Sequence, residues 1–184
     1  EAIKSQISIP LNFEMAPTNE MVEIAIKTLP NACCIVPEKR EEVTTEGGID
    51  VKRNHNILGT IIGRLKKNNI RVSLFVDSSI DQIKLAKQLG SDIIEIHAGE
   101  FCRKVHDRSD FQKELNTIKE ASSFAESIGL ETHVGHGVTF DSIVELSKIN
   151  EVREFNIGHF IISESLFLGL ETTIKKMKTL IAEG

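Results

Sequence analysis

Six stretches of the chain begin apolar and rich in β-branched or aromatic residues, then turn polar or glycine-rich: SIPLNFEMA, ACCIVPE, RVSLFVD, IIEIHAG, ETHVGHG and EFNIGHFII. Short runs of this kind, bounded by turn residues, predict strands. Between them the apolar positions switch to helical spacing. Residues 19–29 place Met21, Ile24, Ala25 and Leu29 on one face, and residues 54–66 do the same with Ile57, Leu58, Ile61, Ile62 and Leu65. Further helices are predicted over 81–89 and 110–128, each stopped by the glycine that follows, Gly90 and Gly129. A last helix is predicted over 164–182, and residues 1–4 read as the tail of another.

Alternation of strand and helix implies parallel strands joined by crossovers, with functional groups gathered at the strands' C-terminal ends. Taking Asn12, Cys34, Ser73, Glu95, His133 and Asn156 as strand markers, the steps are 22, 39, 22, 38 and 23 residues. Repeated units of this length predict an α/β fold, a (β/α)8 TIM barrel of which this chain supplies about six βα units, strands 3 to 8. Two units are then expected to precede residue 1. The alternative is a complete six-stranded doubly wound sheet. Residues 1–184 are read as a single barrel domain, N-terminally incomplete. The longest polar interruption, 37–50 (PEKREEVTTEGGID), reads as an active-site lid with Gly47-Gly48 as hinge and Lys39, Arg40, Thr44 and Thr45 placed to meet an anion. A solvated charged loop is the bland alternative.

Composition narrows the classes. A formal charge of -5 argues against a nucleic-acid binder held by phosphate contacts. No apolar run approaches the ~18 residues of a spanning helix, and EAIKSQISIP lacks a signal peptide's layout, so no membrane partner is expected. Three cysteines, Cys33, Cys34 and Cys102, suit structural thiols in a reducing cytoplasm better than a disulfide framework. Cys33 and Cys34 are adjacent and would point to opposite faces of a strand, a poor arrangement for sharing a metal. P-loop, dinucleotide and CxxC motifs are absent, so nucleotide and zinc readings lack support.

Polar residues inside strands are the informative anomaly, because ionisable groups there are costly unless paired, solvated or used. Asn12 and Glu14 share one face of the first strand, Glu95 and His97 share one face of the fourth, and His136 ends the fifth. All are expected to project toward the barrel mouth, which puts two carboxylates and a histidine around one cavity as acid and base equipment. The remaining histidines, His55, His106 and His133, are assigned to helix, loop or the outer strand face. Gly135-His136-Gly137 after the fifth strand and Gly158-His159 in the sixth occupy the positions where barrels bind phosphate. Ser163 and Glu164 would open the helix that follows, adding its positive end. The bland readings are a glutamate that caps a helix or pairs with a lysine, a satisfied core histidine, and a glycine at a tight turn.

The blocks NFEMAPTNEM, CCIVPEKREEVTTEGGIDV, VSLFVD, IEIHAG, GHGVTF and FNIGHFII together resemble the pyridoxine 5'-phosphate synthase family over nearly the whole chain, the VPEKREEVTTEGG run being the most specific. The resemblance implies a (β/α)8 barrel that forms a homo-octamer in the cytoplasm. It implies condensation of 1-deoxy-D-xylulose 5-phosphate with 3-amino-2-oxopropyl phosphate to pyridoxine 5'-phosphate, phosphate and water, with no metal or cofactor. By motif, Glu14 is implied as proton acceptor, His136 as proton donor and Glu95 as the residue that stabilises charged intermediates. Thr44 is implied to contact deoxyxylulose phosphate, and Gly137, Gly158 and His159 to hold the amino ketone phosphate, with Asn12 also at the substrate. The family's first two βα units are expected to precede Glu1. The competing functions are another phosphosugar lyase or aldolase on a barrel, which would need a Schiff-base lysine at a strand end, and a catalytically silent phosphate-ligand binder.

Overall fold

The structure is a computed structural model that describes residues 2–37 and 47–184. Most of the expected lid, including Lys39, Arg40, Thr44 and Thr45, lies outside the described residues. Among the described residues six strands form one sheet: β1 (Asn12–Met15), β2 (Ala32–Ile35), β3 (Arg71–Val76), β4 (Ile93–His97), β5 (Glu131–Gly135) and β6 (Val152–Asn156). All neighbours are parallel and the spatial order is the chain order. A doubly wound sheet would reverse direction at a switch point, and this one does not.

The sheet curls. Asn12 Nδ2 of β1 donates to Glu154 Oε1 of β6 at 3.0 Å, although five strand spacings would hold the two edges about 24 Å apart in a flat sheet. The result is barrel-like, about six βα units wrapped toward closure, as the repeat length predicted. Register then sets which side chains look inward, because residues paired across parallel strands share a face. Glu14 pairs with Cys34 and Cys34 with Ser73; Phe75 pairs with Glu95 and Glu95 with His133; Gly135 pairs with Asn156.

Helices cover the outer face: α1 (Ala2–Gln6), α2 (Asn19–Thr28), α3 (His55–Lys67), α4 (Ile80–Gln88), α5 (Gly99–His106), α6 (Gln112–Ser127), α7 (Phe140–Leu146), α8 (His159–Leu168) and α9 (Leu170–Ala182). On α3 the predicted stripe is buried at Leu58, Ile61, Ile62 and Leu65, with Ile57 at its exposed rim. On α2 the core contact is made by Val22 and Ala25, whereas Ile24 and the left-handed cap residue Leu29 are exposed, so the inward stripe is displaced from the expected one. Gly90 and Gly129, both with positive φ, follow the ends of α4 and α6 as expected. Lys66 and Lys87 then donate to the Gly90 and Gly129 carbonyls at 2.9 and 2.8 Å, closing the ends of two helices by one repeated device.

Four expectations are corrected. The sixth strand ends at Asn156, and Phe160 to Ile162 belong to α8, whose apolar residues ring the whole helix and give no period by which to tell helix from strand. Ser163 and Glu164 therefore lie inside α8 and not at a helix start, and Gly158 is its N-cap. The expected helix over 164–182 is broken at Gly169, whose φ of 80° ends α8 before α9 begins. His133 faces the barrel interior, not the outside. Among the described residues, no helix is long and apolar enough to cross a membrane.

Candidate active site

A cavity of about 860 Å³ opens where the strands end. Glu14 from β1, Cys34 from β2, Phe75 from β3, Glu95 from β4 and Asn156 from β6 line it, with His136 and Gly137 just past β5 and Gly158 and His159 at the start of α8. Asn12 reaches it from below. Of the residues singled out in the sequence, Asn12, Glu14, Glu95, His136, Gly137, Gly158 and His159 thus share one cavity, and Thr44 lies outside the described residues.

Glu95 is 5% exposed, an unusual setting for a carboxylate. Its Oε2 accepts from the Asn156 amide at 2.6 Å and from the Cys34 thiol at 3.3 Å. Gly135 makes the room: a Cβ there would stand 2.0 Å from Glu95 Oε1. Burial pushes the carboxyl up to about 7, with the charges of Glu14 and Glu154 adding to the rise and the two donors opposing it. A carboxyl poised near neutrality can hold or release a proton at working pH.

Two imidazoles meet near the rim: His136 lines the cavity, whereas His97, also expected at the mouth, is outside the lining. His97 packs edge-on against Phe75, with ring centroids 5.4 Å apart, and its ring lies 4.9 Å from that of His136. Gly99 permits the approach, since a Cβ there would meet His97 Nε2 at 2.6 Å and His136 Cδ2 at 3.1 Å. Asp77 Oδ1 lies 3.3 Å from His97 Nδ1 and accepts the Gly48 N–H at 2.9 Å. The His97 hydrogen bond, helped by that N–H, holds the Asp77 carboxyl below its usual range against the effect of burial. His136 and Gly137 both adopt positive φ, 70° and 78°. For a histidine this left-handed backbone is a sparsely populated conformation of the sort found at functional sites.

Deeper in the barrel a polar layer closes the floor. His133 Nε2 lies 2.8 Å from Glu131 Oε1, Arg71 reaches Glu131 Oε2 at 2.7 Å, and Glu154 Oε1 lies 3.5 Å from His133 Nδ1. Asn12 joins this layer through its amide nitrogen, while its Oδ1 is buried without a hydrogen-bond partner among the described residues.

Sequence reasoning passed over Cys34 as a structural thiol and used Asn156 only as a strand marker, yet both hold Glu95. The in-register pairing of Cys34 with Glu14 could have flagged it, because it places the thiol on the same inward face. Asp77 gave no signal beyond being the polar end of VSLFVD.

The family described as pyridoxal phosphate biosynthesis protein PdxJ matches residues 1–183. Pyridoxine 5'-phosphate synthase of Ruegeria pomeroyi is 45% identical over 187 residues, covering 100% of this chain and 75% of that protein. The synthase of the same name from Bradyrhizobium sp. is 46% identical, covering 99% of this chain and 72% of that protein. The one from Sulfurihydrogenibium sp. is 46% identical over 174 residues, covering 95% and 71%. A match that runs the length of the chain, over a curled parallel sheet with two carboxylates and a histidine at its mouth, places the chain in the PdxJ family of pyridoxal phosphate biosynthesis proteins.

Proposed function

We propose that the chain acts as a pyridoxine 5'-phosphate synthase, joining 1-deoxy-D-xylulose 5-phosphate to 3-amino-2-oxopropyl phosphate and releasing phosphate and water. The observation that carries the reading is that Glu14, Glu95 and His136 line one cavity beside Gly137 and Gly158. The amine of one substrate condenses with the ketone of the other to an imine, and proton removals, eliminations and ring closure then aromatise the product. Each of these steps moves a proton. In this reading Glu14 removes protons from carbon, and His136 protonates departing oxygens. Glu95 stabilises the cationic intermediates from a site where burial makes its charge more effective than it would be in water.

Both substrates are phosphate esters, and the cavity offers two settings for such groups. The turn at His136-Gly137 and the start of α8, where the Gly158 N-cap supplies no side-chain cap, leave backbone N–H groups for an anion. His159 adds a side chain there, and Thr44 contacts the deoxyxylulose phosphate. Asn12, in the cavity lining, is read as a further substrate contact. Among the described residues no lysine lines the cavity, which gives the Schiff-base aldolase alternative no support. The reading extends to a homo-octamer working in the cytoplasm, with 37–50 as lid and residues 1–184 as one domain.

The test is product formation from the two ketone phosphates, followed by the ultraviolet absorbance of the pyridine ring. Appearance of that absorbance with stoichiometric phosphate is expected. Binding of both compounds without product would assign the chain to ligand binding instead.

A further inference from the structure

The Cys34 thiol stands in the cavity wall beside two carboxylates. Its strand position pairs with Glu14, and its Sγ donates to Glu95 Oε2 at 3.3 Å, the oxygen that also receives the Asn156 amide. The residue is 2% exposed although it lines the cavity. Burial first, and then the charge of Glu95, push this thiol well above its usual value. It therefore remains S–H throughout the pH range in which enzymes work. A nucleophile or a redox group needs the thiolate. What this environment preserves is a permanently protonated donor aimed at a carboxylate.

We propose that Cys34 is a positioning residue for Glu95: its thiol and the Asn156 amide together clamp Oε2, holding the carboxylate with Oε1 against Gly135. The clamp spans β2, β4 and β6, so the orientation of one reacting group is set from strands on both sides of it. The space behind Oε1 is closed to larger residues by the short approach of Gly135. Titratable groups act on or flank Glu95 from several elements: Glu14 on β1, Cys34 on β2 and Glu154 on β6, with His133 its register partner on β5 and His136 in the same cavity lining. Of these, Glu14 and Glu154 disfavour its charge, and the thiol is one of two donors that favour it. The inference rests on the reading that Glu95 serves the reaction as an anion.

The experiment compares the parent chain with Cys34→Ala, Cys34→Val and Cys34→Ser, the first two lacking a donor and the third restoring one. The titration of Glu95 is followed by 13C NMR of labelled glutamate carboxyls, assigned with Glu95→Gln. The expected result is a midpoint moved up by roughly one pH unit in the alanine and valine variants, with serine near the parent. The acid limb of kcat/KM for the two ketone phosphates moves by the same amount. A midpoint unchanged in all three variants, or raised equally in the serine variant, overturns the clamp. Because the titration needs no substrate, it decides the clamp even if no product forms, and a missing product bears on the proposed function alone.

Discussion

Glu95 carries two demands that pull against each other. Folding raises its carboxyl from 4.5 to about 7, so the folded chain binds this proton more tightly than the unfolded chain does. Below about pH 4.5 both states hold the proton and the burial costs little. As pH rises through about 7 the folded state must carry a buried charge, and stability falls by an amount on the order of 3 kcal/mol. Glu95→Gln removes that charge. Thermal melts are expected to show the variant gaining on the parent at pH 8, with the gap narrowing as pH falls to 5; a gap independent of pH would contradict the assigned burial cost. At this scale the sequence was informative about identity and weaker about orientation. Glu14, Glu95 and His136 stood out because polar side chains interrupt apolar strands. His133 was assigned to helix, loop or the outer strand face, yet it pairs in register with Glu95 and shares its inward face, while His136 lies past the strand's last residue. The left-handed turn at His136 takes that residue out of the strand's alternation, and no sequence pattern announces it.

Among the elements, the fifth strand shows how little separates packing from chemistry. Gly135 is its last residue, and its missing side chain is the space that the Glu95 carboxylate occupies. Gly135→Ala is therefore expected to keep the sheet, since Gly135 is not among the positive-φ glycines and alanine can adopt its backbone, and to displace Glu95 from Cys34 and Asn156. Turnover should fall by roughly 100-fold with far-ultraviolet circular dichroism unchanged, the usual scale for moving a reacting group by about 1 Å. Turnover within a few-fold of the parent would mean that the position of Glu95 is not critical. The strands and the amphipathic helices were legible because their apolar periods are strong, as in Leu58, Ile61, Ile62 and Leu65 of α3. The helices α5 and α7 were not, being 8 and 7 residues long and tucked into the segments after strands. α8 was hidden for the opposite reason. Its sequence HFIISESLFL is apolar on most sides, and Leu166 and Phe167 remain more than four-fifths exposed, so no contrast between faces marks it.

The whole molecule turns a one-dimensional repeat into a curled, barrel-like sheet. Steps of about one βα unit predicted a barrel, and the Asn12–Glu154 hydrogen bond between the first and last strands is the contact that distinguishes a curled sheet from an open one. Curling is also what gathers Glu14, Glu95 and His136, separated by 81 and 41 positions in the chain, at one mouth. That these three act as a unit on one bound pair of substrates is the central claim. A double-mutant cycle on kcat with Glu14→Gln and His136→Asn tests it most directly. Groups serving one proton-transfer sequence lose their effect together, so each single variant is expected to cost roughly 100-fold or more and the double variant little beyond the worse of the two. Losses that simply multiply would mean that the two side chains work independently, and the account of a single concerted site would fail.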